Sequence, residues 1–248
     1  MSRGPGTGRT VVVTGGSRGI GAAIVSLLAR RGSDVVFTFR NDGRAAHDVV
    51  DSCASLPGTV SALRYDLRGD DAHHLVAHVL ERQGGLDSLI LNAGVWSGGR
   101  LGDLDQDAWW DVVDTNLRGS VRLVRAALEP LRGCGSGSVL LMSSAVGLVG
   151  FPGDTAYASS KAALVGFARS LAKESGASGL RVNVLAPGFV DTDMTSEVGG
   201  RARERIAGRT VLGRFGTPEE IASAAVFLSE DATFATGVVL PIDGGWTL

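Results

Sequence analysis

The sequence predicts a doubly wound α/β fold, in which helices cover both faces of a parallel sheet of seven strands. From Arg9 onwards, short runs of Val, Ile, Leu and Phe alternate with longer segments of helical periodicity. The apolar runs are nearly continuous, which is typical of parallel strands buried on both faces. The chain has 248 residues, 44% of them hydrophobic, and is expected to form a single domain, because two domains would each have a thin core.

Predicted strands and helices alternate along the chain, and right-handed crossovers place the helices on both sheet faces. Strands are predicted at residues 10–14, 34–39, 59–65, 86–91, 138–143, 180–185 and 238–241. Helices are predicted at residues 19–31, 44–54, 71–83, 106–132, 155–175 and 218–228. Residues 193–214 carry charges and glycine pairs but little apolar periodicity. We interpret this segment, called the lid below, as a mobile insertion within one domain spanning residues 1–248, whose first eight residues are flexible.

Composition argues against several classes of function. The 24 Lys and Arg residues are balanced by 26 Asp and Glu residues, so there is no basic excess to bind a nucleic acid. Cys53 and Cys134 lack the spacing of a disulfide framework or a zinc site. His74 and His78 lie four residues apart without a third ligand in prospect, so we expect no metal. No apolar run approaches the ~20 residues of a membrane span, and a cytoplasmic location is expected.

A glycine-rich turn follows the first predicted strand and opens the first predicted helix. Its sequence is TGGSRGIG at residues 14–21, and its small residues allow backbone N–H groups to approach a pyrophosphate. A tight strand-to-helix connection is the alternative interpretation. Gly15, Gly19 and Gly21 follow a TGxxxGxG pattern, which differs from the more general GxGxxG. In this position the turn predicts a Rossmann-type dinucleotide site.

Further motifs follow in a fixed order along the chain. They are Asp66-Leu67 after the third predicted strand, Asn92-Ala93-Gly94 after the fourth, and then Ser144 followed by Tyr157-x3-Lys161. Together with TGxxxGxG, this order resembles the short-chain dehydrogenase/reductase family, from about Arg9 to the carboxyl end. The resemblance implies an enzyme that interconverts a ketone and a secondary alcohol. The residues that it implies for cofactor binding are Gly15, Ser17, Arg18, Gly19, Ile20, Gly21, Arg40, Asp66, Leu67, Asn92, Ala93, Gly94, Tyr157, Lys161, Pro187, Gly188, Val190 and Thr192. For Asn92, a purely structural role is the alternative.

The end of the second strand selects the nicotinamide cofactor, because a carboxylate there binds the ribose hydroxyls and repels the extra phosphate of NADP(H). Here the strand leads into Arg40, and Arg18 lies in the glycine-rich turn. Two guanidinium groups can bind a phosphate, which favours NADP(H). Asp42, two residues after Arg40, leaves NAD(H) as the alternative, and Arg40 as an ordinary surface residue is another.

Reduction of a ketone needs a hydride donor on one face of the carbonyl and a proton donor at its oxygen. Tyr157 and Lys161 are four residues apart in a predicted helix, so their side chains project from the same face. A lysine cation there is expected to lower the pKa of the tyrosine from its usual value of about 10. The resemblance implies that Tyr157 is the general acid in reduction and that Lys161 binds the nicotinamide ribose and tunes Tyr157.

Two further polar residues complete the expected catalytic set. Ser144 follows the fifth strand, at the sheet edge where ligands gather in parallel α/β folds. The family spacing to the tyrosine selects Ser144, rather than Ser143, to hold the substrate oxygen. Asn116 lies inside the long fourth helix, where asparagine is a mediocre helix former. The resemblance implies that Asn116 disturbs the helix and holds a water of a proton relay; a simple cap or kink is the alternative.

Within the family, the segments APGFVDTDM, LGRF and DGG look most like the ketoacyl carrier-protein reductases. This likeness implies a 3-ketoacyl thioester as substrate and a homotetramer as assembly. Gly135 and Ser178 stand where that subgroup has arginines that dock an acidic acyl carrier protein, which argues against the same docking mode. Arg125, Arg132, Arg169 and Lys173 are nearby in sequence as replacements.

The loop after Asn92-Ala93-Gly94 also departs from that subgroup, because it contains Trp96. A tryptophan there favours a bulky, polyketide-like ketone as the alternative substrate, unless it only packs the rim of the domain. The remaining alternatives are an NAD-dependent alcohol dehydrogenase and a non-catalytic protein on the same fold. The residues expected to line the substrate pocket are Trp96, Ser144, Val146, Phe151, Asp154, Tyr157 and Phe189.

Overall fold

The computed structural model describes residues 8–196 and 198–248. All seven strands are parallel and form one sheet in the order β3-β2-β1-β4-β5-β6-β7. The doubly wound sheet predicted from the sequence is thereby confirmed. The strands are β1 (Thr10–Thr14), β2 (Asp34–Phe39), β3 (Val60–Arg64), β4 (Ser88–Leu91), β5 (Ser138–Met142), β6 (Arg181–Pro187) and β7 (Val239–Ile242).

Ten α-helices lie in the described part of the chain. They are α1 (Gly19–Arg30), α2 (Gly43–Cys53), α3 (Ala72–Gln83), α4 (Gln106–Val113), α5 (Ser120–Gly133), α6 (Ala145–Val149), α7 (Thr155–Ser175), α8 (Asp193–Ser196), α9 (Gly200–Ala207) and α10 (Pro218–Val226). A π-helical turn, Asp114–Gly119, joins α4 to α5, so the single helix predicted at residues 106–132 is interrupted. Another π-helical turn, Phe227–Asp231, follows α10. Among the described helices, none is long and apolar enough to span a bilayer.

Two apolar cores lie on opposite faces of the sheet, because successive side chains of a strand point to opposite sides. On β1, Val12 belongs to the core under α3, α5 and α7. Its neighbours Val11 and Val13 belong to the core under α1 and α10. All three valines are almost fully buried, which explains why the strand reads as a continuous apolar run and not as an alternation.

The strand order reverses at β1, which pairs with β2 on one side and with β4 on the other. The chain first builds the sheet outward to β3 and then returns to build the other half. Loops leaving the carboxyl ends of β1 and β4 therefore diverge and open a crevice, the usual ligand site of such sheets. The glycine-rich turn follows β1 and the Asn92 motif follows β4, so the topology brings these two motifs together.

The lid is more regular than its sequence indicated, because it contains the two short helices α8 and α9. Both were missed at the sequence level. Helix α8 has only four residues, and Ile206 is the one buried side chain of α9, so neither produces a visible apolar stripe. Glu197, and all but Gly8 of the predicted flexible terminus, lie outside the described residues.

Candidate active site

The glycine-rich turn is packed so closely that side chains would not fit. A Cβ atom on Gly21 would lie 2.0 Å from the carbonyl oxygen of Gly15, and one on Gly16 would lie 2.5 Å from Cβ of Phe37. Gly19 has a φ of +52°, a backbone conformation that favours glycine. The turn thus presents backbone at the N-terminus of α1, which is the geometry that a pyrophosphate requires.

Asn92 holds this turn in place. Its Nδ2 donates to the carbonyl oxygens of Thr14 and Gly15, at 3.1 Å each. The backbone N–H of Ala93 donates to Oγ1 of Thr14 at 3.0 Å. These bonds give the Asn92 motif a structural role, while its contact with the cofactor stays a prediction.

The side chains near the end of β2 leave Arg40 available. Arg40 is exposed, and no ion pair involves it within residues 8–196 and 198–248. Asp42 caps α2, because its carboxylate accepts from the backbone N–H of Ala45 at 2.9 Å. Arg18 pairs with Asp193 of the lid at 3.5 Å, with both side chains mostly exposed. Asp42, the residue that left NAD(H) as the alternative cofactor, therefore serves as the N-cap of α2.

The remaining residues expected around the cofactor follow β3 and β6. Leu67 is buried, and Oδ1 of Asp66 accepts from the backbone N–H of Arg68 at 2.9 Å. A Cβ atom on Gly19 would lie 3.2 Å from Cγ2 of Thr192, so the segment after β6 reaches the glycine-rich turn. Both ends of the predicted cofactor site consequently face the same crevice.

Ser144, Tyr157 and Lys161 meet beyond the carboxyl end of β5. Nζ of Lys161 donates to the carbonyl oxygen of Met142 at 2.8 Å and lies 5.6 Å from the ring centroid of Tyr157. Oγ of Ser144 accepts from the backbone N–H of Val146 at 3.2 Å, and this hydroxyl is near enough to Tyr157 to lower its pKa. Oγ of Ser143 donates to the carbonyl oxygen of Lys161 at 2.8 Å. Ser143 therefore supports the backbone, whereas the Ser144 hydroxyl reaches the tyrosine.

The expected lowering of the pKa of Tyr157 is wrong. Burial raises the pKa of Tyr157 to about 12, against a smaller lowering by the nearby Ser144 hydroxyl. Burial also lowers the pKa of Lys161 to about 8. The lysine ammonium group bonds to Met142 and not to the phenol oxygen, so desolvation of both groups outweighs their attraction.

Asn116 lies in the π-helical turn between α4 and α5. Its Oδ1 accepts from the backbone N–H of Val95 at 2.8 Å, and its Nδ2 donates to the Val95 carbonyl and to Oγ of Ser160, at 2.9 and 3.1 Å. A Cβ atom on Gly94 would lie 3.1 Å from both Oδ1 of Asn116 and Nζ of Lys161. The disturbed helix and the closeness of Asn116 to the lysine agree with the expectation, while the water relay stays a prediction.

A cluster of aromatic side chains adjoins Tyr157. The rings of Phe151, Phe189 and Trp246 have centroids 5.7 to 6.2 Å apart, and Tyr157 and Val146 pack against the same cluster. Sequence reasoning missed Trp246, because it follows the DGG segment near the carboxyl end, far in sequence from Tyr157. Its indole Nε1 is buried and has no hydrogen-bond partner within the described residues.

Trp96 joins the loop after β4 to the start of α7. Its indole Nε1 donates to Oδ1 of Asp154 at 2.8 Å, and the backbone N–H of Gly99 donates to the Gly153 carbonyl at 2.8 Å. Half of the Trp96 surface is exposed, whereas Asp154 is buried. Burial raises the pKa of the Asp154 carboxyl above its usual range. Asp154 lies just before Tyr157 in sequence and Trp96 lies just after Asn92, so their hydrogen bond connects the two motifs.

No three His, Cys, Asp or Glu side chains in residues 8–196 and 198–248 are placed to share a metal ion.

Sequence comparison finds relatives over nearly the whole chain. The chain is 40% identical to 3-oxoacyl-[acyl-carrier-protein] reductase FabG of Chlamydia muridarum over 242 residues, with 96% of each protein covered. It is 37% identical to the protein of the same name in Pseudomonas aeruginosa, covering 96% of this chain and 97% of that one.

Solved structures also match this chain over nearly its whole length. A dehydrogenase/reductase from Sinorhizobium meliloti 1021 superposes with a TM-score of 0.91 at 35% identity, covering 98% of this chain and 96% of the other. A blue fluorescent protein from a metagenomic library, solved in complex with NADPH, also gives 0.91, at 33% identity, with 98% and 99% covered. The family model described as Enoyl-(Acyl carrier protein) reductase matches residues 15–247. The chain belongs to the short-chain dehydrogenase/reductase family.

Proposed function

We propose that this protein uses NADPH to reduce the ketone of a 3-ketoacyl thioester to a secondary alcohol. Oxidoreductase chemistry of the ketoreductase type follows from family membership, and the thioester is the proposal. The observation that carries it is the meeting of Ser144, Tyr157 and Lys161 beside the crevice that holds the glycine-rich turn. The curated relatives at 33% to 40% identity, named as 3-oxoacyl-[acyl-carrier-protein] reductases, support the substrate class.

The residues present fit NADP(H). The turn around Gly21 has no room for a side chain, which leaves backbone N–H groups for the pyrophosphate. Arg40 and Arg18 are the cations for the extra phosphate, and Lys161 is the candidate for the nicotinamide ribose. When bound, NADPH supplies the hydride that reduction requires.

The chain's own residues would position and protonate the substrate. The hydroxyl of Ser144, which is near enough to Tyr157 to influence its pKa, would hold the ketone oxygen within reach of the phenol. Because burial raises the pKa of Tyr157 to about 12, its phenol is protonated at neutral pH and suited to donate a proton. Lys161 and Asn116, both close to Gly94, would return a proton to Tyr157 through water.

A bulky free ketone is the second candidate substrate. Phe151, Phe189 and Trp246 form an aromatic wall beside Tyr157, which suits a planar apolar substrate. Gly135 and Ser178 provide no cation for an acidic carrier protein. A polyketide-like ketone would use the same Ser144, Tyr157 and Lys161.

The test is a titration of the purified protein with NADPH and NADH, followed by assays of nicotinamide absorbance with three ketones. These are acetoacetyl-pantetheine, a decalone and an aromatic polyketide mimic. Turnover of the thioester supports the proposal, and turnover of only the bulky ketones rejects it in favour of the second candidate. Turnover must be lost in Tyr157→Phe, or the assigned chemistry is wrong.

A further inference from the structure

The lid carries an excess of positive charge in a chain whose net charge is -2. Residues 193–214 contain five arginines and three carboxylates, those of Asp193, Glu197 and Glu204. Two of the arginines are neutralised from outside this stretch. Arg203 pairs with Asp191, and Arg214 pairs with Glu220 through hydrogen bonds of 2.6 and 2.9 Å.

The other three, Arg201, Arg205 and Arg209, are exposed. Across the described residues, no carboxylate lies within ion-pair distance of any of the three. Arg201 and Arg205 are four residues apart on α9, so their side chains are neighbours on one face and repel each other. Such an arrangement favours an anion, since guanidinium forks match the oxygens of a phosphate.

This cationic surface borders the substrate pocket. The guanidinium of Arg209 lies 5.8 Å from the ring centroid of Trp246, which packs in the cluster with Tyr157. The guanidinium of Arg203 lies 4.1 Å from the ring centroid of Phe215, which contacts Phe189 of the same cluster. Helix α9 is therefore anchored beside the aromatic wall, and its Arg201 and Arg205 are exposed with no ion-pair partner in the described part of the chain.

We infer that Arg201, Arg205 and Arg209 bind the phosphate of a phosphopantetheine arm whose thioester end lies at Tyr157. The inference rests on the proposed function, because it concerns how the thioester is held. The arm is long and flexible, with its thioester at one end and its phosphate at the other. A phosphate site on the lid supplies the anchoring charge that Gly135 and Ser178 do not provide.

The test compares two substrates that differ only in the phosphate, acetoacetyl-phosphopantetheine and acetoacetyl-pantetheine. Acetoacetyl-CoA and an acetoacetyl carrier protein then distinguish the two natural sources of the arm. The variant is Arg201→Gln/Arg205→Gln, which preserves helix propensity. The matched control is Arg30→Gln/Arg82→Gln. These two exposed arginines lie in the last turns of α1 and α3, on the side of the sheet where the strands begin.

We expect the lid variant to lower kcat/KM for acetoacetyl-phosphopantetheine by about fivefold to tenfold, as the loss of exposed charge-assisted contacts implies. Values for acetoacetyl-pantetheine and the KM for NADPH should stay within about twofold, and added salt should shrink the difference. Equal losses with both substrates, the same loss in the control, or a loss confined to acetoacetyl-CoA would overturn the inference. If neither thioester is reduced by the wild type, the proposed function itself fails.

Discussion

Burial acts on Tyr157 and Lys161 in the same direction, because it favours the neutral form of each side chain. It raises the pKa of Tyr157 to about 12 and lowers the pKa of Lys161 to about 8. A neutral phenol can donate a proton but cannot accept one. The protonated phenol can therefore serve as the proton donor in reduction, whereas oxidation would require it to lose its proton first.

Replacement of Tyr157 by Phe removes this proton donor with little change in shape. We expect turnover to fall by about 10²- to 10⁴-fold, the usual contribution of a general acid. The affinity for NADPH, measured by fluorescence titration, should stay within about twofold, because the hydroxyl is not needed for the pyrophosphate site. The other tyrosine of the chain provides the control. Tyr65 is buried without a hydrogen-bond partner for its hydroxyl within the described residues, so Tyr65→Phe should keep full activity.

The charge of Lys161 should be visible in the pH profile of reduction. Tyr157, with a pKa of about 12, keeps its proton over the whole accessible range. Lys161, with a pKa of about 8, loses its charge as the pH rises through that value, so kcat/KM should fall above it. In Lys161→Arg, whose guanidinium does not titrate, this limb should disappear even if the rate is lower. An unchanged limb in that variant would assign it to another group.

Arg40 should decide the choice of cofactor. In Arg40→Asp, kcat/KM for NADPH should drop by about tenfold or more, because a charge-assisted bond is replaced by repulsion of the phosphate. The value for NADH should be maintained or rise, since a carboxylate there can accept bonds from the ribose. The control is Arg82→Asp, which makes the same charge change in the last turn of α3. If NADPH preference is the same in both variants, Arg40 is an ordinary surface residue.

At the scale of whole elements, the strands and α7 were predictable because their apolar content and spacing reflect burial within the sheet. Helix α7, at Thr155–Ser175, has the predicted bounds. The π-helical turn at Asp114–Gly119 was not visible in the apolar periodicity, and only the family resemblance implied that Asn116 disturbs the helix there. The helices of the lid were missed because helices this short gain their stability from packing and not from propensity.

The start of α10 shows how one element fixes another. Oγ1 of Thr217 accepts from the backbone N–H of Glu220 at 3.3 Å, and the Glu220 carboxylate accepts from the backbone N–H of Thr217 at 2.8 Å. Glu220 also holds Arg214, so this capping box ties the end of the lid to α10. The hydrogen bonds from the Arg214 guanidinium and from the backbone N–H of Thr217 lower the pKa of the Glu220 carboxyl to about 2.

Thr217→Ala should destabilise the protein by about 1 kcal/mol, the usual loss for an N-cap side chain. Urea unfolding followed by circular dichroism measures this difference as a lower midpoint at an unchanged slope. Thr217→Ser retains the hydroxyl and should recover most of the stability. Should the two variants be equally destabilised, the methyl group and not the cap would account for the loss.

For the molecule as a whole, sequence and topology together place the site, but its substrate side depends on contacts between distant segments. The motifs around Gly21, Asn92 and Tyr157 each follow a strand, so the parallel sheet brings them together at the carboxyl ends of its strands. The aromatic wall instead combines Phe151, Phe189 and Trp246 from three loops. Phe151 and Phe189 were expected near the substrate, but Trp246 was not, because its place in the wall depends on how the loops pack after the sheet has formed.

The sheet ends in β7, an edge strand whose side chains are at best partly buried. Phe227 and Phe234, on the segment that leads to this strand, are half and fully exposed, and Val238 immediately before it is also exposed. An unpaired edge with apolar residues around it is a surface that proteins usually cover. Assembly of several copies is a direct way to cover it.

The likeness to the ketoacyl carrier-protein reductases implies a homotetramer, and we expect β7 and the preceding segment to lie in one of its interfaces. Size-exclusion chromatography with light scattering should give a mass about four times the 25.6 kDa of the chain. Phe234→Asp, which puts a charge on a fully exposed ring position, should dissociate the assembly into smaller species because a charge would be buried without a partner. Leu101→Asp alters another exposed apolar residue, far from this edge in sequence, and should leave the mass unchanged. A wild-type mass of one chain would show that the β7 edge faces solvent.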